Sequence, residues 1–498
     1  MSWPRSANEK LATFAISMHT APCMEVSQIP HLHQDWIDPH AFGIVKALQK
    51  GGFTTYLVGG CVRDLLLGIH PKDFDIATAA HPPQVKRLIY QSYIIGKRFR
   101  LVLVKRNDQQ FEVATFRCEV NAEDYPEGIP PGDNVFGSSE EDARRRDFTI
   151  NGLFYDPVSQ ELIDYVEGMK DIKNRIMRMI GDPDLRLIED PIRILRGLRL
   201  AHKLGCTIES SLRQAMKNQA SQLLRSVLPR RREEFLKILR LPDPALCLTE
   251  AYDLDLLKYV SPTLHDMLSD PERNDNFWTC FEAYKPIVRD DKDPNQLFAW
   301  ITYAMLQTAR ISPTNRETPI TIDDEIFQQL MRDEFGMYKL EQVVVMKAIE
   351  TLPGLNRTED FKRRGERRQA TFMRNEGFQL GLHIATVDYL LTPRELAFWD
   401  SMHLQLADQI SLLDGEDDAK PRRKRPRRRK PKSLGRSGGE GDDSQTAEND
   451  GSSSVKRSSK SAEHDPFAVG PDDDDDDDDD ELLVDSPMDS AADLARRI

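Results

Sequence analysis

Cysteine is scarce, with six in 498 residues and no C-x-x-C pair. Such spacing excludes a disulfide framework and a cysteine zinc site, which leaves a reducing compartment as the default. Long apolar runs are missing as well. The longest near the start, Leu11 to Ile16, is too short for a secretory core and is interrupted by Thr13. Nothing later approaches the ~20 residues of a membrane span. The expectation is a cytoplasmic protein with no membrane span. No G-x-x-x-x-G-K-[ST] string occurs, so a Walker-type phosphate loop is excluded, and there is no internal repeat.

A basic excess is also absent. Asp and Glu number 82 against 68 Lys and Arg, for a net charge of −14, whereas a phosphate-binding surface needs clustered cations to displace counterions. The sum hides its parts. Residues 437–498 hold 20 acidic and 5 basic side chains, including the unbroken run Asp472–Asp480, and residues 420–436 hold 11 basic and no acidic ones. A nucleic-acid partner must therefore be judged segment by segment.

What the chain does have is a change of period. Residues 1–38 are weakly periodic and read as an extension. A helix is expected over about 40–50, with Phe42, Ile44, Val45 and Leu48 on one face and Gly51-Gly52 as its stop. Thr54–Val58 is strand-like, Gly59-Gly60 a turn, Val62–Leu67 a short helix and Phe74–Ala77 a second strand. Pro82–Tyr90 reads as an amphipathic helix, and Leu101–Lys105 with Gln110–Phe116 as a hairpin about Asn107-Asp108. From about 185 helical periodicity takes over, beginning with Leu187–Leu204 and its stop at Gly205. Residues 205–410 read as all-helical, with breaks near Ser269–Asp275 and Asp290–Asn295. From Gly415 the composition is Arg/Pro, then Ser/Gly, then Asp, which cannot bury enough apolar surface to fold alone.

Chemistry concentrates in Gly59-Gly60-Cys61-Val62-Arg63-Asp64 and Lys72-Asp73-Phe74-Asp75. Alternate side chains of a strand share a face, so Asp73 and Asp75 point together while Phe74 and Ile76 point into the core. Two such carboxylates suit magnesium, which takes one or two and fills its remaining positions with water and substrate phosphates. Manganese accepts the same oxygen ligands. Gly59 and Gly60 let backbone approach a phosphate closely, and Arg63 can neutralise charge there. Taken singly, D-x-D is a common surface pattern and Gly-Gly an ordinary turn; in one strand–turn–helix–strand unit they point to phosphoryl or nucleotidyl transfer. Further on, Ser138 and Glu141 form a capping box that starts a helix leading toward Asp147.

The strings YLVGGCVRDLLLG, KDFDIAT, EVATFR, RRDFTIN and EDPIRILRGLRLAHKLG, in this order between Tyr56 and Gly205, resemble the class II nucleotidyltransferases, which comprise bacterial poly(A) polymerases and tRNA CCA-adding enzymes. The resemblance implies an α+β, polymerase-beta-like nucleotidyltransferase head followed by all-helical neck, body and tail. On that reading residues 39–180 are the head, 181–260 the neck and RNA-binding domain, 261–414 the helical body and tail, and 415–498 a disordered basic then acidic tail. Asp73 and Asp75 would hold the metal, and Asp147 would join them in the catalytic set, its alternative being an ion pair with Arg145 or Arg146. Glu112 would be either a third carboxylate or a structural ion pair. Asp190 and Arg193, three apart on a helix, would read the edge of the incoming base, where one bidentate contact discriminates by roughly 1–3 kcal/mol; periodicity alone would make them a helix-surface ion pair. Arg196 and Arg199 would contact phosphate or pack the neck.

Between the two branches, Ile94-Ile95-Gly96-Lys97-Arg98-Phe99 before an aliphatic strand is similar to the poly(A) polymerase signature, as is Asp133-Asn134-Val135-Phe136-Gly137. His265-Asp266 is the only His-Asp pair of the helical body and reads as surface, which disfavours an appended phosphohydrolase. The implied substrates are ATP and RNA 3′ ends, with RNA contacts from 420–436 and from Lys362–Arg374, unless the latter is a solvated helix face. The polyaspartate either folds back on the basic block or simply solubilises the chain.

Overall fold

Alternation along four central strands decides the architecture. In the computed structural model, which describes residues 24–28, 32–96, 101–118, 135–310 and 328–418, Leu57, Ile76, Val113 and Tyr155 bury one face of a sheet beneath the first helices, while Val58, Ala77, Phe116 and Phe154 line the other. The elements of the head are β1 (Glu25–Gln28), α1 (Pro39–Lys50), β2 (Thr55–Val58), α2 (Gly60–Leu67), β3 (Asp75–Thr78), α3 (Pro82–Leu88), β4 (Ser92–Ile95), β5 (Leu101–Arg106), β6 (Gln109–Thr115), β7 (Arg117–Cys118), β8 (Val135–Phe136), α4 (Ser139–Arg145), β9 (Leu153–Asp156), β10 (Glu161–Asp164) and α5 (Gly168–Asn174). Eight of these strands form one sheet in the order β1-β10-β9-β2-β3-β6-β5-β4. Only the β3–β6 contact is parallel.

The expected helix near residue 40 runs from Pro39, capped by Asp38, whose Oδ1 accepts the N–H groups of His40 (2.6 Å) and Ala41 (3.2 Å). Ala41 rather than Phe42 completes its buried face. The N-terminal extension is not structureless throughout: Glu25–Gln28 adds an edge strand to β10.

Helices dominate after the head, as the period change anticipated. They are preceded by β11 (Ile176–Met177) and run α6 (Pro183–Glu189), α7 (Arg193–Leu204), β12 (Thr207–Ile208), α8 (Ser210–Asn218), α9 (Leu228–Leu239), α10 (Pro244–Asp253), α11 (Leu257–Val260), α12 (Pro262–Ser269), α13 (Pro271–Tyr284), α14 (Pro294–Arg310), α15 (Lys339–Thr351), α16 (Thr358–Lys362), α17 (Glu366–Met373), α18 (Glu376–Val387) and α19 (Pro393–Asp418). The continuous helix expected over Leu187–Leu204 is broken. Asp190 sits at φ −134°, ψ 94°, because a residue before proline is pushed out of the helical region, and Pro191 follows it. Gly197 on α7 then allows a close approach: a Cβ there would meet Met216 Cε at 2.7 Å and Phe148 Cζ at 2.8 Å. A side chain at 197 would push α7 away from the head. Lys97–Arg100, Asp133, Asn134, the basic block 420–436 and the run Asp472–Asp480 lie outside the described residues.

Candidate active site

Antiparallel pairing of β2 with β3 sets Val58 opposite Asp75. The chain leaves β2 there through Gly59 and enters α2, so the Gly-Gly turn abuts the Asp75 carboxylate. Gly59 adopts φ 74°, ψ −132°, a region closed to residues with a Cβ. A Cβ on Gly59 would lie 3.0 Å from Arg146 Nη1 and 3.5 Å from Asp75 Oδ2. Turn, carboxylate and guanidinium therefore share one small volume, at a helix start whose first N–H groups have no intrahelical acceptor. Gly60, one residue on, is the first residue of α2.

Phe74 and Ile76 are buried, Asp75 is half-buried and Asp73 is exposed, which is the alternation expected of D-F-D-I. The parallel pairing of Ile76 with Val113 makes Glu112 the lateral neighbour of Asp75 on the same face. Among the described residues, however, no group of three or more His, Cys, Asp or Glu is gathered to hold an ion. Glu112 is not gathered with Asp73 and Asp75 into such a group. Two hard oxygen donors, one of them exposed, fit magnesium with substrate phosphates completing its shell. Cys61, which also adjoins Asp75, is pushed up to about 12 by burial and then by that carboxylate, so it stays a neutral thiol at physiological pH.

The expected capping box starts α4: the Ser138 N–H donates to the Glu141 carboxylate at 2.7 Å and the Glu141 N–H to Ser138 Oγ at 3.3 Å. The end of the helix delivers Arg145 and Arg146, which pair with buried Asp142 at 2.9 and 3.2 Å rather than with Asp147. Burial raises Asp142, but Arg146 and Arg145 outweigh it and hold the carboxyl below its usual range. Arg146 also donates to the Asn151 carbonyl at 3.4 Å and lies over the Phe154 ring, 5.3 Å from its centroid. A cation is thereby fixed beside Gly59.

Asp147 belongs to a second set, at the head–neck junction. Its Oδ1 accepts the Phe148 N–H at 2.7 Å and the Asn151 amide at 3.2 Å, and its Oδ2 faces Arg196 Nη1 at 3.4 Å. Burial pushes this carboxyl up, yet Arg196, the two hydrogen bonds and Arg193 prevail, and the net shift is downward. The ion pair weighed for Asp147 thus exists with a different partner, brought by α7. The Asn151 side-chain oxygen accepts from Arg63 Nη1 at 2.8 Å. Arg63 is only 2% exposed, and its Nε donates to Asp64 at 2.7 Å. Expected at a substrate phosphate, Arg63 is instead on the inward side of α2, where it orients Asn151 and through it Asp147.

Asp190 and Arg193, expected side by side, are divided between two ion pairs by the break at Pro191. Asp190 engages Arg230 of α9 through both oxygens, at 3.0 and 3.1 Å, the bidentate geometry a guanidinium favours. Arg193 donates to Glu189 at 2.8 Å and to the Arg186 carbonyl at 3.0 Å. Arg196 lies between Asp147 and Glu234, 3.8 Å from the latter, while Arg199 and Glu234 form a buried pair at 2.8 Å. Arg199 therefore packs the neck, and Arg196 ties neck to head. Sequence reasoning assigned no role to Asn151, Arg230 or Glu234, and considered Arg146 only as a partner of Asp147. The strings RRDFTIN and PRRREE contain all four, but their partners lie up to 88 residues away.

The head, residues 55–178, matches the family described as the poly A polymerase head domain, and residues 205–268 match the one described as a probable RNA and SrmB- binding site of polymerase A. A CCA-adding enzyme of a Geobacillus species is 31% identical over 342 residues, 65% of this chain and 80% of that protein. The chain belongs to the tRNA nucleotidyltransferase and poly(A) polymerase family. Within this family, poly(A) polymerase I of Haemophilus influenzae is 44% identical over 210 residues, 40% of this chain and 46% of that protein. The chain thus spans about half the length of the poly(A) polymerases it matches. Among solved structures, the Bacillus stearothermophilus CCA-adding enzyme in complex with CTP aligns with a TM-score of 0.54 at 24% identity, over 75% of this chain and 83% of that one, a likeness of fold. Among the described residues no helix is long and apolar enough to cross a membrane.

Proposed function

We propose that the chain is a poly(A) polymerase that adds AMP from ATP to RNA 3′ ends without a template. The observation that carries the chemistry is the register of Val58 on Asp75, which brings a glycine turn and a helix start against paired aspartates. The preference for AMP tails rests on an identity of 44% over 210 residues to poly(A) polymerase I, against 38% over 200 residues for a CCA-adding enzyme of Lactobacillus helveticus and 31% over 342 residues for the Geobacillus one. That enzyme aligns over more of its own length, which favours CCA addition to tRNA as the second reading.

The 3′-hydroxyl of the RNA attacks the α-phosphorus of ATP, and pyrophosphate leaves in line. Magnesium or manganese held by Asp73, Asp75 and the substrate phosphates would supply Lewis-acid activation of the hydroxyl and stabilisation of the leaving oxygen. Gly59 and Gly60 admit the triphosphate to the backbone of α2, where Arg146 adds a fixed cation. Asp147, oriented by Asn151 and Arg196, holds the head against the neck, so that Asp190 with Arg230 and Arg193 with Glu189 flank the incoming base. Catalysis on this scheme is positioning and electrostatics, with no covalent enzyme intermediate.

Replacing Asp73 and Asp75 together with alanine should abolish incorporation of labelled AMP into RNA, and unchanged incorporation would sink the proposal. Supplying the wild-type protein with CTP and a tRNA ending before its CCA separates the two readings. Efficient repair of that end would favour CCA addition.

A further inference from the structure

The last helices build a small core of their own, although Leu380 and Ile384 of α18 pack into the main one. In the small core Leu355, Phe361, Met373, Phe378 and Leu406 gather around Trp399, whose indole N–H donates to the Leu355 carbonyl at 3.0 Å. The stretch Lys362–Arg374, expected as one helix, is two. α16 ends at Lys362 and α17 begins at Glu366, and Gln369 ties the turn between them by donating to the carbonyls of Phe361 (3.0 Å) and Lys362 (3.3 Å). This turn lays Arg364 across Phe372 and Phe361, its guanidinium carbon 5.1 and 5.8 Å from the ring centroids. Among the described residues no carboxylate pairs with Arg364.

Beside it opens a cavity of about 530 Å³ lined by the half-buried ring of Phe372, with the buried rings of Phe361, Phe378 and Trp399 behind it, within the ~300–1,000 Å³ common for small-ligand sites. Lys347, Arg357 and Arg364 outnumber the two acidic residues of its lining. A second hollow of about 920 Å³ shares Arg364, Thr371 and Phe372 and continues past Arg367 and Arg368. Ring faces under a planar cation hold an unstacked base, and cations along the adjoining channel meet the phosphates on either side of it. An acidic peptide would satisfy the cations but leave the rings unused, and an apolar ligand the reverse.

We infer that this groove binds single-stranded RNA, with one base against Phe372 and Arg364 and the flanking phosphates toward Arg367 and Arg368, as a holding site distinct from the transfer site. The choice of RNA rests on the nucleotidyltransferase reading above; the stacking and charge arguments do not. The wall residues Thr371 and Asn375 offer a hydroxyl and an amide to the base edge.

The test uses the full chain and a labelled single-stranded oligoadenylate. Arg364 is exposed, so Arg364→Glu should fold normally and raise Kd by roughly tenfold or more. Phe372→Leu, which keeps an apolar side chain at the core edge, should raise Kd by roughly fivefold. AMP transfer to a dinucleotide acceptor by Arg364→Glu should match wild type while KM for long RNA rises. A thiouridine-containing oligonucleotide should crosslink to the Glu366–Met373 peptide in wild type and not in Arg364→Glu. Unchanged affinity with no crosslink on α17, or equal losses on short and long acceptors, overturns the inference. Displacement of the RNA by free AMP at concentrations as low as the oligonucleotide itself also overturns it, in favour of a mononucleotide site. Because binding and crosslinking need no catalysis, a failed Asp73/Asp75 experiment would leave these outcomes readable.

Discussion

Gly59→Ala tests whether the glycine turn belongs to the transfer site. At φ 74°, ψ −132° an alanine is confined to a backbone region that costs of order 1–3 kcal/mol. The new methyl lies 3.5 Å from Asp75 Oδ2, an ordinary contact, but 3.0 Å from Arg146 Nη1, which must give way by a few tenths of an ångström. Arg146 cannot retreat freely, being held by Asp142 at 3.2 Å, by the Asn151 carbonyl at 3.4 Å and by the Phe154 ring. A misplacement of about 1 Å can cost a hundredfold in rate, so a shift of some tenths should cost about tenfold. Each kcal/mol of strain should also lower Tm by about 2–4 °C if the head unfolds as one unit.

The assay is single-turnover AMP incorporation into an oligoribonucleotide beside thermal unfolding, with Gly60→Ala as control. Gly60 is not among the glycines at positive φ, and a Cβ there meets only the Arg63 guanidinium, at 3.6 and 4.0 Å. As the first residue of α2 it should, if anything, gain up to about 1 kcal/mol of helix propensity and keep its rate. Equal damage in both variants, or a Gly59→Ala rate within about twofold of wild type, would refute the reasoning, since the argument depends on backbone geometry and Arg146 rather than on small size alone.

Two further outcomes follow from the buried charges of the head–neck junction. Glu234→Gln leaves Arg199, itself 4% exposed, without its buried anion, so unfolding by denaturant should show a loss of about 3–5 kcal/mol; a loss below about 1 kcal/mol would mean that the pair is not buried in solution. Asp142, Asp147 and Glu234 all have their pKa lowered on folding despite burial, so the stability they confer is complete above the ordinary carboxylate range and drains away as pH falls below about 4. Tm measured from neutral to acid pH should drop there, and Glu234→Gln should flatten part of the drop; identical acid limbs in the two proteins would count against the assignment.

How much of this was legible in the sequence depended on the range of each interaction. D-F-D-I could be read because a strand has period two and both the burial of Phe74 and Ile76 and the outward aspartates follow from it. Ser138 and Glu141 could be read because a capping box closes within one turn. The partners of Asp147 and Asp190 could not, since Arg196 and Arg230 arrive from 49 and 40 residues away through the packing of α7 and α9. Pro191 was visible, but the apolar periodicity from Leu187 to Leu204 runs through it and masked the break. The role of Gly197 lies in the close approach of Phe148, 49 residues earlier in the chain, and leaves no local mark. The strand Glu25–Gln28 depends on β10, more than 130 residues later, and left no local trace.

The bearing of charge on RNA binding changes once pairing is known. Arg63 and Arg199 are counted in the composition, yet each faces a carboxylate inside the fold, and a cation already neutralised releases few counterions when a phosphate approaches. Around the groove of the last helices the balance reverses. Lys347, Arg357, Arg364 and Arg368 are exposed and, among the described residues, carry no carboxylate partner. A net charge of −14 therefore neither favours nor opposes an RNA partner, because the sum weighs a buried ion pair and an exposed arginine alike. If the groove holds RNA, salt dependence of binding should weaken on removing Arg364 or Arg368 by about one phosphate contact each.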